Sequence, residues 1–339
     1  MSKTEAVTLP KEYKSILNLR ETEIAMKEIK QTFENKFSKA LNLMEVSAPL
    51  LLCEGTGIND NLNGVERMVS FDALDIKNRQ MEVVQSLAKW KRVALKRYEI
   101  TQGEGLYTNM NAVRRDEVLD NLHSMYVDQW DWEKIISKEQ RNEDTLKKEV
   151  KKIYSAIKAT ERHICALHKN LTPVLPDDIY FISTQELETS YPKLSPKERE
   201  DIIAKEHGAV FVMQIGGALR SGEKHDGRSP DYDDWTLNGD IVLWNPVLER
   251  SFEISSMGIR VDEKSLLKQL KLADNEERCG LDYHQSILNG ELPYTIGGGI
   301  GQSRLCMFSL KKAHIGEVQA SVWNEKVIKE CEERNITLL

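Results

Sequence analysis

Apolar residues recur every four positions near the start of the chain. This spacing is followed by Ile29, Phe33, Phe37 and Leu41, with charged residues between them. It places the apolar side chains on one side of a helix and predicts a helix from about residue 12 to residue 41. Residues 43–52 are predicted to be extended, and Pro49 within them indicates an edge strand or an irregular one.

The predicted helix and strand, residues 12–52, suggest an interface between two copies of the chain. A long helix that leads into an apolar edge strand is a plausible surface for a homodimer. The alternative is an ordinary helix and strand packed within one chain.

Residues 126–133 show the alternation that is typical of a strand. One face carries Val127, Gln129, Asp131 and Glu133, and the other carries Tyr126, Asp128, Trp130 and Trp132. Two tryptophans on one face indicate a buried side. The polar face is predicted to line a site that needs hydrogen bonds, although a solvated outer face is the alternative.

The remaining strands do not alternate regularly with helices. Continuous apolar runs at residues 209–215 and 241–244 predict buried strands. A polar loop at residues 216–234, with its acidic end, has the length of an active-site lid. The irregular insertions favour an α+β fold with a mainly antiparallel sheet flanked by helices, in a single domain over residues 1–339.

Composition and charge limit the function classes. The chain has 339 residues, 40% of them hydrophobic, and a formal net charge of −7, which argues against a nucleic-acid partner. Its five cysteines are scattered without a C-x-x-C pair, as expected in a reducing compartment. Neither a signal segment nor an apolar run long enough for a membrane span is visible. These features predict a soluble, cytoplasmic protein without a membrane partner.

Two stretches carry most of the candidate chemistry. Residues 252–260 combine Glu253, two serines and Arg260, and oxygen atoms of this kind suit Mg²⁺. Residues 296–304 hold a glycine run that leads into a helical pattern, with Arg304 at its start. Bare backbone amides at a helix start and an arginine suit phosphate. Together they predict a site for ATP.

Three segments resemble the signature motifs of class II aminoacyl-tRNA synthetases. Residues 43–52 resemble the first motif, residues 114–133 the second and residues 299–304 the third. Glu253 and Arg260 keep the spacing of the metal-binding Glu and the substrate-binding Arg of aspartyl enzymes in that class.

A more specific resemblance, over nearly the whole chain, is to the ammonia-dependent asparagine synthetases, or aspartate–ammonia ligases. It is carried by residues 60–62, 86–92, 103–108, 126–133, 230–235, 238–240 and 252–260. The resemblance implies a class II synthetase-like catalytic domain that converts L-aspartate, ATP and ammonia to L-asparagine, AMP and diphosphate through a β-aspartyl-adenylate.

The resemblance also implies residue roles. ATP would be bound by Arg114, Val127, Asp240, Glu253, Ile254, Ser256 and Arg304, and Mg²⁺ by Asp240, Glu253 and Ser256. Aspartate would be bound by Asp60, Ser86, Lys91, Gln129, Asp131 and Arg260. The catalytic set would be Arg114, Asp60, Lys91, Asp233 and Arg304, with either Asp60 or Asp233 handling the ammonium proton.

Two alternatives have different sequence signatures. An aspartyl- or asparaginyl-tRNA synthetase would need an anticodon-binding domain, whereas about forty residues of helical pattern precede the first motif. A non-catalytic paralogue would be expected to lose Arg114, Glu253 or Arg304, and all three are present.

Overall fold

The computed structural model describes residues 7–59, 62 and 66–339. Within them an eight-stranded sheet has the strand order β1-β5-β6-β11-β10-β9-β8-β7. Its strands are β1 (Leu43–Glu45), β5 (Gly105–Val113), β6 (Tyr126–Ile135), β7 (Tyr180–Ser183), β8 (Ala209–Met213), β9 (Asp233–Asn245), β10 (Arg250–Arg260) and β11 (Thr295–Gly301). Only the outermost pairs, β1 with β5 and β7 with β8, are parallel. The prediction of an α+β fold with a mainly antiparallel sheet is confirmed.

Helices and a small second sheet surround this sheet. The helices are α1 (Leu19–Leu41), α2 (Ala88–Arg97), α3 (Glu143–Leu167), α4 (Thr184–Ser190), α5 (Pro196–His207), α6 (Glu263–Leu272), α7 (Asp282–Leu288), α8 (Gln302–Ser309) and α9 (Glu325–Glu333). Short 3-10 turns occupy Glu276–Gly280 and Ile315–Glu317. The small sheet joins β2 (Leu51–Cys53), β4 (Ile76–Val83) and β3 (Ser70–Ala73) in that order.

The alternation of β6 is explained by what its two faces contact. Trp130 and Trp132 are fully buried against α1, where the ring of Phe33 lies 4.6 Å from that of Trp130. Phe37 contacts Trp132 edge to face, with the ring centroids 6.3 Å apart. The opposite face of β6 is therefore directed away from the main core.

The start of the chain differs from the prediction in two places. The first helix begins at Leu19, where Asn18 accepts the backbone N–H of Glu21 in a capping box, and not at residue 12. The segment predicted as an edge strand or an irregular one is divided in two: β1, at the edge of the large sheet, ends at Glu45, β2 begins at Leu51, and Pro49 lies between them. The chain leaves the large sheet for the small one there, and proline lacks the N–H that a ladder would use.

None of the helices in the described ranges is long and apolar enough to cross a membrane.

The turn after α8 contains a buried histidine that should make stability depend on pH. His314 is fully buried, its Nδ1 accepts the Gly316 N–H at 3.0 Å, and burial lowers its pKa to about 4. The unfolded chain binds a proton near pH 6.5, so the stabilisation is complete above that pH and is lost as pH falls towards 4.

We therefore expect His314 to account for about 3 kcal/mol of stability lost between pH 7 and pH 4. Urea unfolding at several pH values measures this. In a His314→Asn variant the new side chain can accept a hydrogen bond from the same N–H without titrating. The stability that the variant loses between pH 7 and pH 4 should therefore be smaller by that amount. Equal pH dependence in both proteins would show that His314 is not responsible.

Candidate active site

A cavity of about 540 Å³ lies over the polar face of the central strands β6, β11 and β10. Its lining includes the predicted site residues Ser86, Lys91, Arg114, Val127, Gln129, Asp131, Asp233, Glu253, Ile254, Ser256, Arg260 and Arg304. Asp240 is not part of the lining, but it accepts a hydrogen bond from Arg228, which does line the cavity. Asp60 lies outside the described residues.

The glycine run of β11 makes room for the side chains that line the cavity. Gly299 stands opposite Asp131 in the ladder, and a Cβ on it would approach Gln129 Oε1 to 2.5 Å. A Cβ on Gly297 would overlap the carboxylate of Glu133. Side chains of β6 therefore cross over β11 only because these positions are glycine.

This geometry corrects the predicted phosphate cradle. Helix α8 does begin at Gln302, just after the run, but Gly297–Gly299 lie inside β11. The Ser303 N–H at the helix start donates to Asp128 Oδ1 at 3.0 Å. That amide is already satisfied within the protein, which leaves Arg304 as the predicted phosphate ligand of this segment.

One end of the cavity is a buried network of charges. Lys91 Nζ donates to Asp131 at 2.5 Å and to the Gly298 carbonyl at 3.0 Å. Arg260 pairs with Glu133 through Nε at 2.9 Å and Nη2 at 2.7 Å, and also with Asp233. Burial lowers the pKa of Lys91 and raises that of Asp131.

The composition of this network defines what it can bind. Two cations face three carboxylates, so the set is acidic by one charge and favours an added ammonium group. Lys91 and Arg260 can bind a substrate carboxylate only if it displaces the protein carboxylate with which each is paired. The predicted cations Lys91 and Arg260 and the predicted acceptor Asp131 are thus brought together, and each is already paired within the protein.

The other end of the cavity presents guanidinium groups. Arg304 Nη1 donates to the Glu253 carbonyl at 2.9 Å and lies 3.4 Å from its carboxylate. Arg114 Nη1 lies 3.9 Å from Glu117, and its buried Nε has no hydrogen-bond partner among the described residues. Both arginines line the cavity, and their role in binding phosphate stays a prediction.

Arg228 is a third guanidinium that the sequence reasoning missed. It lies in the loop predicted as a lid and donates to Ser256 Oγ at 2.5 Å and to Asp240 Oδ1 at 2.6 Å. The loop was recognised from its length and polarity, but nothing in its local pattern distinguishes Arg228. Ser256 and Asp240 are neighbours through the β9–β10 register, which a sequence alone does not give.

The residues predicted to bind Mg²⁺ supply suitable atoms. Asp240, Glu253 and Ser256 offer hard oxygen ligands on adjacent strands, and burial raises the pKa of Asp240 to about 7. In the part of the chain that the structure describes, no group of three or more His, Cys, Asp or Glu side chains is arranged to hold a metal alone. These residues fit a Mg²⁺ that takes its other ligands from phosphate and water.

The lid loop is anchored beside the cavity by a buried ion cluster. Asp231 is fully buried and accepts from Lys89 of α2 at 2.8 Å, from Arg278 at 3.0 Å and from Ser229 at 2.7 Å, and it bonds His284 of α7 at 3.0 Å. Against the effect of burial, the charges of Lys89 and Arg278 and the hydrogen bond with His284 hold the pKa of Asp231 well below its usual range. The cluster fixes the C-terminal part of the loop, which leads directly into Asp233.

This architecture is a class II synthetase-like fold. It is similar to asparaginyl-tRNA synthetase from Entamoeba histolytica in complex with asparaginyl-adenylate, with a TM-score of 0.64 and 14% identity over 89% of this chain and 66% of that one. The corresponding Pyrococcus horikoshii structure gives a TM-score of 0.61 and 16% identity over 89% and 70%. At these identities the likeness shows the fold alone.

Sequence comparison identifies the family. The family model "Aspartate-ammonia ligase" matches residues 20–335. An aspartate–ammonia ligase of Clostridium perfringens is 62% identical over 99% of this chain and all of its own length. One of Pediococcus pentosaceus is 58% identical over 98% of this chain and 99% of its own. The chain belongs to the aspartate–ammonia ligase family.

Proposed function

We propose that this protein makes L-asparagine from L-aspartate, ATP and ammonia, with AMP and diphosphate as the other products. The observation that carries the proposal is the single cavity in which the Lys91–Asp131 and Arg260–Glu133–Asp233 network adjoins Arg114, Arg228 and Arg304. A small zwitterionic acid suits one end of this cavity, and a triphosphate suits the other.

The chemistry requires activation of a carboxylate. A carboxylate does not form an amide directly, because oxide is a poor leaving group. Attack of the β-carboxylate on the α-phosphate of ATP releases diphosphate and forms β-aspartyl-adenylate. Ammonia then attacks the acyl carbon, and AMP leaves. The protein contributes by positioning the groups and by stabilising developing charge.

Three arginines bind different parts of the triphosphate. Arg114 binds the α-phosphate, where negative charge increases during adenylation. Arg304 holds the γ-phosphate, and Arg228 moves from Asp240 and Ser256 to the diphosphate that departs. Val127 packs against adenine by aliphatic contact. Asp240, Glu253 and Ser256 would hold Mg²⁺, which when bound neutralises phosphate charge.

Aspartate binds by exchange of partners in the buried network. Its α-carboxylate pairs with Arg260, which releases Asp233. Its ammonium group lies against Asp131 and Gln129, and Lys91 and Ser86 contact a carboxylate. Asp233, once released, can accept a proton when ammonia attacks. Asp60 is the alternative acceptor.

The homodimer is part of the proposal as well. Around α1 and the two sheets several large apolar side chains are exposed, namely Leu19, Ile24, Met44, Leu50, Leu51 and Phe71. Burial of such a surface in a second copy would stabilise the pair through the hydrophobic effect. Light scattering at micromolar concentration should give twice the chain mass.

The direct test uses the purified protein with aspartate, ATP, Mg²⁺ and ammonium. Asparagine and AMP should appear in equal amounts, and omission of aspartate should abolish AMP formation. Release of ADP, or formation of asparagine only with glutamine as the nitrogen source, would contradict the proposal. The tRNA synthetase alternative rests on fold similarity alone, and it predicts transfer of an aminoacyl group to tRNA when tRNA replaces ammonium in the mixture.

A further inference from the structure

Gln85 is a buried side chain of the cavity whose polar atoms are unsatisfied. It lies between β4 and α2, is 0% exposed, and lines the cavity next to Ser86. Its backbone N–H donates to Asn59 Oδ1 at 3.1 Å, so the backbone is held. Neither Oε1 nor Nε2 has a hydrogen-bond partner among the described residues. Buried amides are normally satisfied, so we expect a ligand to bind this one.

The chemistry of a carboxamide restricts what that ligand is. Phosphates and carboxylates have cationic partners elsewhere in the cavity, and an ammonium group has Asp131 and its neighbours. Gln85 is neutral and offers one acceptor and two donors. A carboxylate has acceptors only and would leave Oε1 unsatisfied. The complementary ligand both donates and accepts hydrogen bonds. Ammonia next to a carbonyl oxygen is one such ligand, and the carboxamide of the product is another.

We infer that Gln85 binds the nitrogen that is added to aspartate and the acyl oxygen beside it, an inference that rests on the proposed function. Oε1 accepts one N–H of ammonia, and Nε2 donates to the acyl oxygen. The same two bonds then hold the amide of the product. Both polar atoms of Gln85 are therefore hydrogen-bonded when the amide forms, whereas the starting carboxylate alone leaves Oε1 without a donor.

A neutral acceptor suits the nucleophile better than a carboxylate would. A carboxylate stabilises ammonium, which has no lone pair with which to attack. Gln85 orients ammonia and leaves its lone pair directed at the acyl carbon. The new C–N bond forms as the C–O bond to the phosphate breaks, and the electron pair of that bond leaves on AMP. One proton passes from nitrogen to Asp233 or Asp60.

The experiment compares the two half-reactions in a Gln85→Met variant. Adenylation is measured as aspartate-dependent exchange between ATP and diphosphate without ammonium, and amide formation is measured against ammonium concentration. We expect exchange within about twofold of the wild type and a KM for ammonium raised about tenfold or more. The variant should melt at the same temperature or higher, because an unsatisfied buried amide has been removed.

The possible outcomes are distinct. An unchanged KM for ammonium, or an equal rise in the KM for aspartate, would overturn the inference. Absence of exchange in the wild-type protein would instead contradict the proposed function. If Gln85→Met does not fold, Gln85→Asn keeps the carboxamide one methylene shorter and should still raise the KM for ammonium with exchange intact; no rise would overturn the inference. Gln185→Met on α4, outside the cavity, is the matched control and should leave that KM unchanged.

Discussion

Replacement of Arg114 with alanine is expected to lower the rate of adenylation by about 10²–10³-fold, while ATP still binds. The physical reason is that negative charge on the α-phosphate is greatest in the transition state, so a guanidinium placed there stabilises it more than the ground state. The buried Nε of Arg114, which has no hydrogen-bond partner in the described part of the chain, is available for such a contact. Exchange between ATP and diphosphate measures the step directly.

The control for Arg114 is an arginine that lies far from the reaction. Arg162 on α3 is exposed and pairs with Asp177 at 3.3 Å, so Arg162→Ala should leave the exchange rate unchanged. A near-wild-type rate in Arg114→Ala would contradict the role proposed for Arg114. A loss confined to the KM for ATP would show that Arg114 binds the ground state and the transition state equally.

Removal of Arg260 should mainly affect aspartate. The β-carboxylate must meet the α-phosphate near Arg114, so the α-carboxylate is directed to a second cation, and Arg260 lies at the far end of β10 from Glu253. Loss of one partner of a buried, hydrogen-bonded charge pair costs about 3–5 kcal/mol. Arg260→Ala should therefore raise the KM for aspartate at least about a hundredfold, with a much smaller effect on ATP.

The protein partners of Arg260 require a second variant. Arg260→Ala also leaves Glu133 buried without its guanidinium, which destabilises the fold. Arg260→Lys retains the charge but loses the bidentate geometry, so it should remain folded and still bind aspartate weakly. If ATP binding suffers more than aspartate binding in either folded variant, Arg260 belongs to the nucleotide and the proposed orientation of aspartate is wrong.

Several elements were predictable because their signal is local. The four-residue spacing of α1 and the alternation of β6 reflect one buried face each, and Phe33, Phe37, Trp130 and Trp132 do pack together. Gln129, Asp131 and Glu133 of β6 then had to face the other side, where the cavity lies. The motif resemblance supplied Arg114, Glu253 and Arg304, and the fold brings them to that cavity.

Other features depend on tertiary contacts that no local pattern reports. Arg228 lies in a loop without periodicity, and its partners meet only through strand register. The sequence of the glycine run predicts a phosphate cradle. In the structure the run makes room for Gln129 and Glu133, and this role follows only from the pairing of β11 with β6, which the sequence does not show. Gln85 is distinctive only because its amide is buried without a hydrogen-bond partner in the ranges that the structure describes, and this is a property of the folded molecule.

Activation of the β-carboxylate of aspartate as an acyl-adenylate is the step on which the proposed function depends. Aspartate labelled with ¹⁸O in its β-carboxylate tests this most directly, when it is incubated with the protein, ATP, Mg²⁺ and ammonium. We expect each AMP formed to carry one ¹⁸O atom in its phosphate, since the C–O bond of the adenylate breaks when ammonia attacks. Recovery of the label in orthophosphate together with ADP, or AMP formed without label, would contradict it.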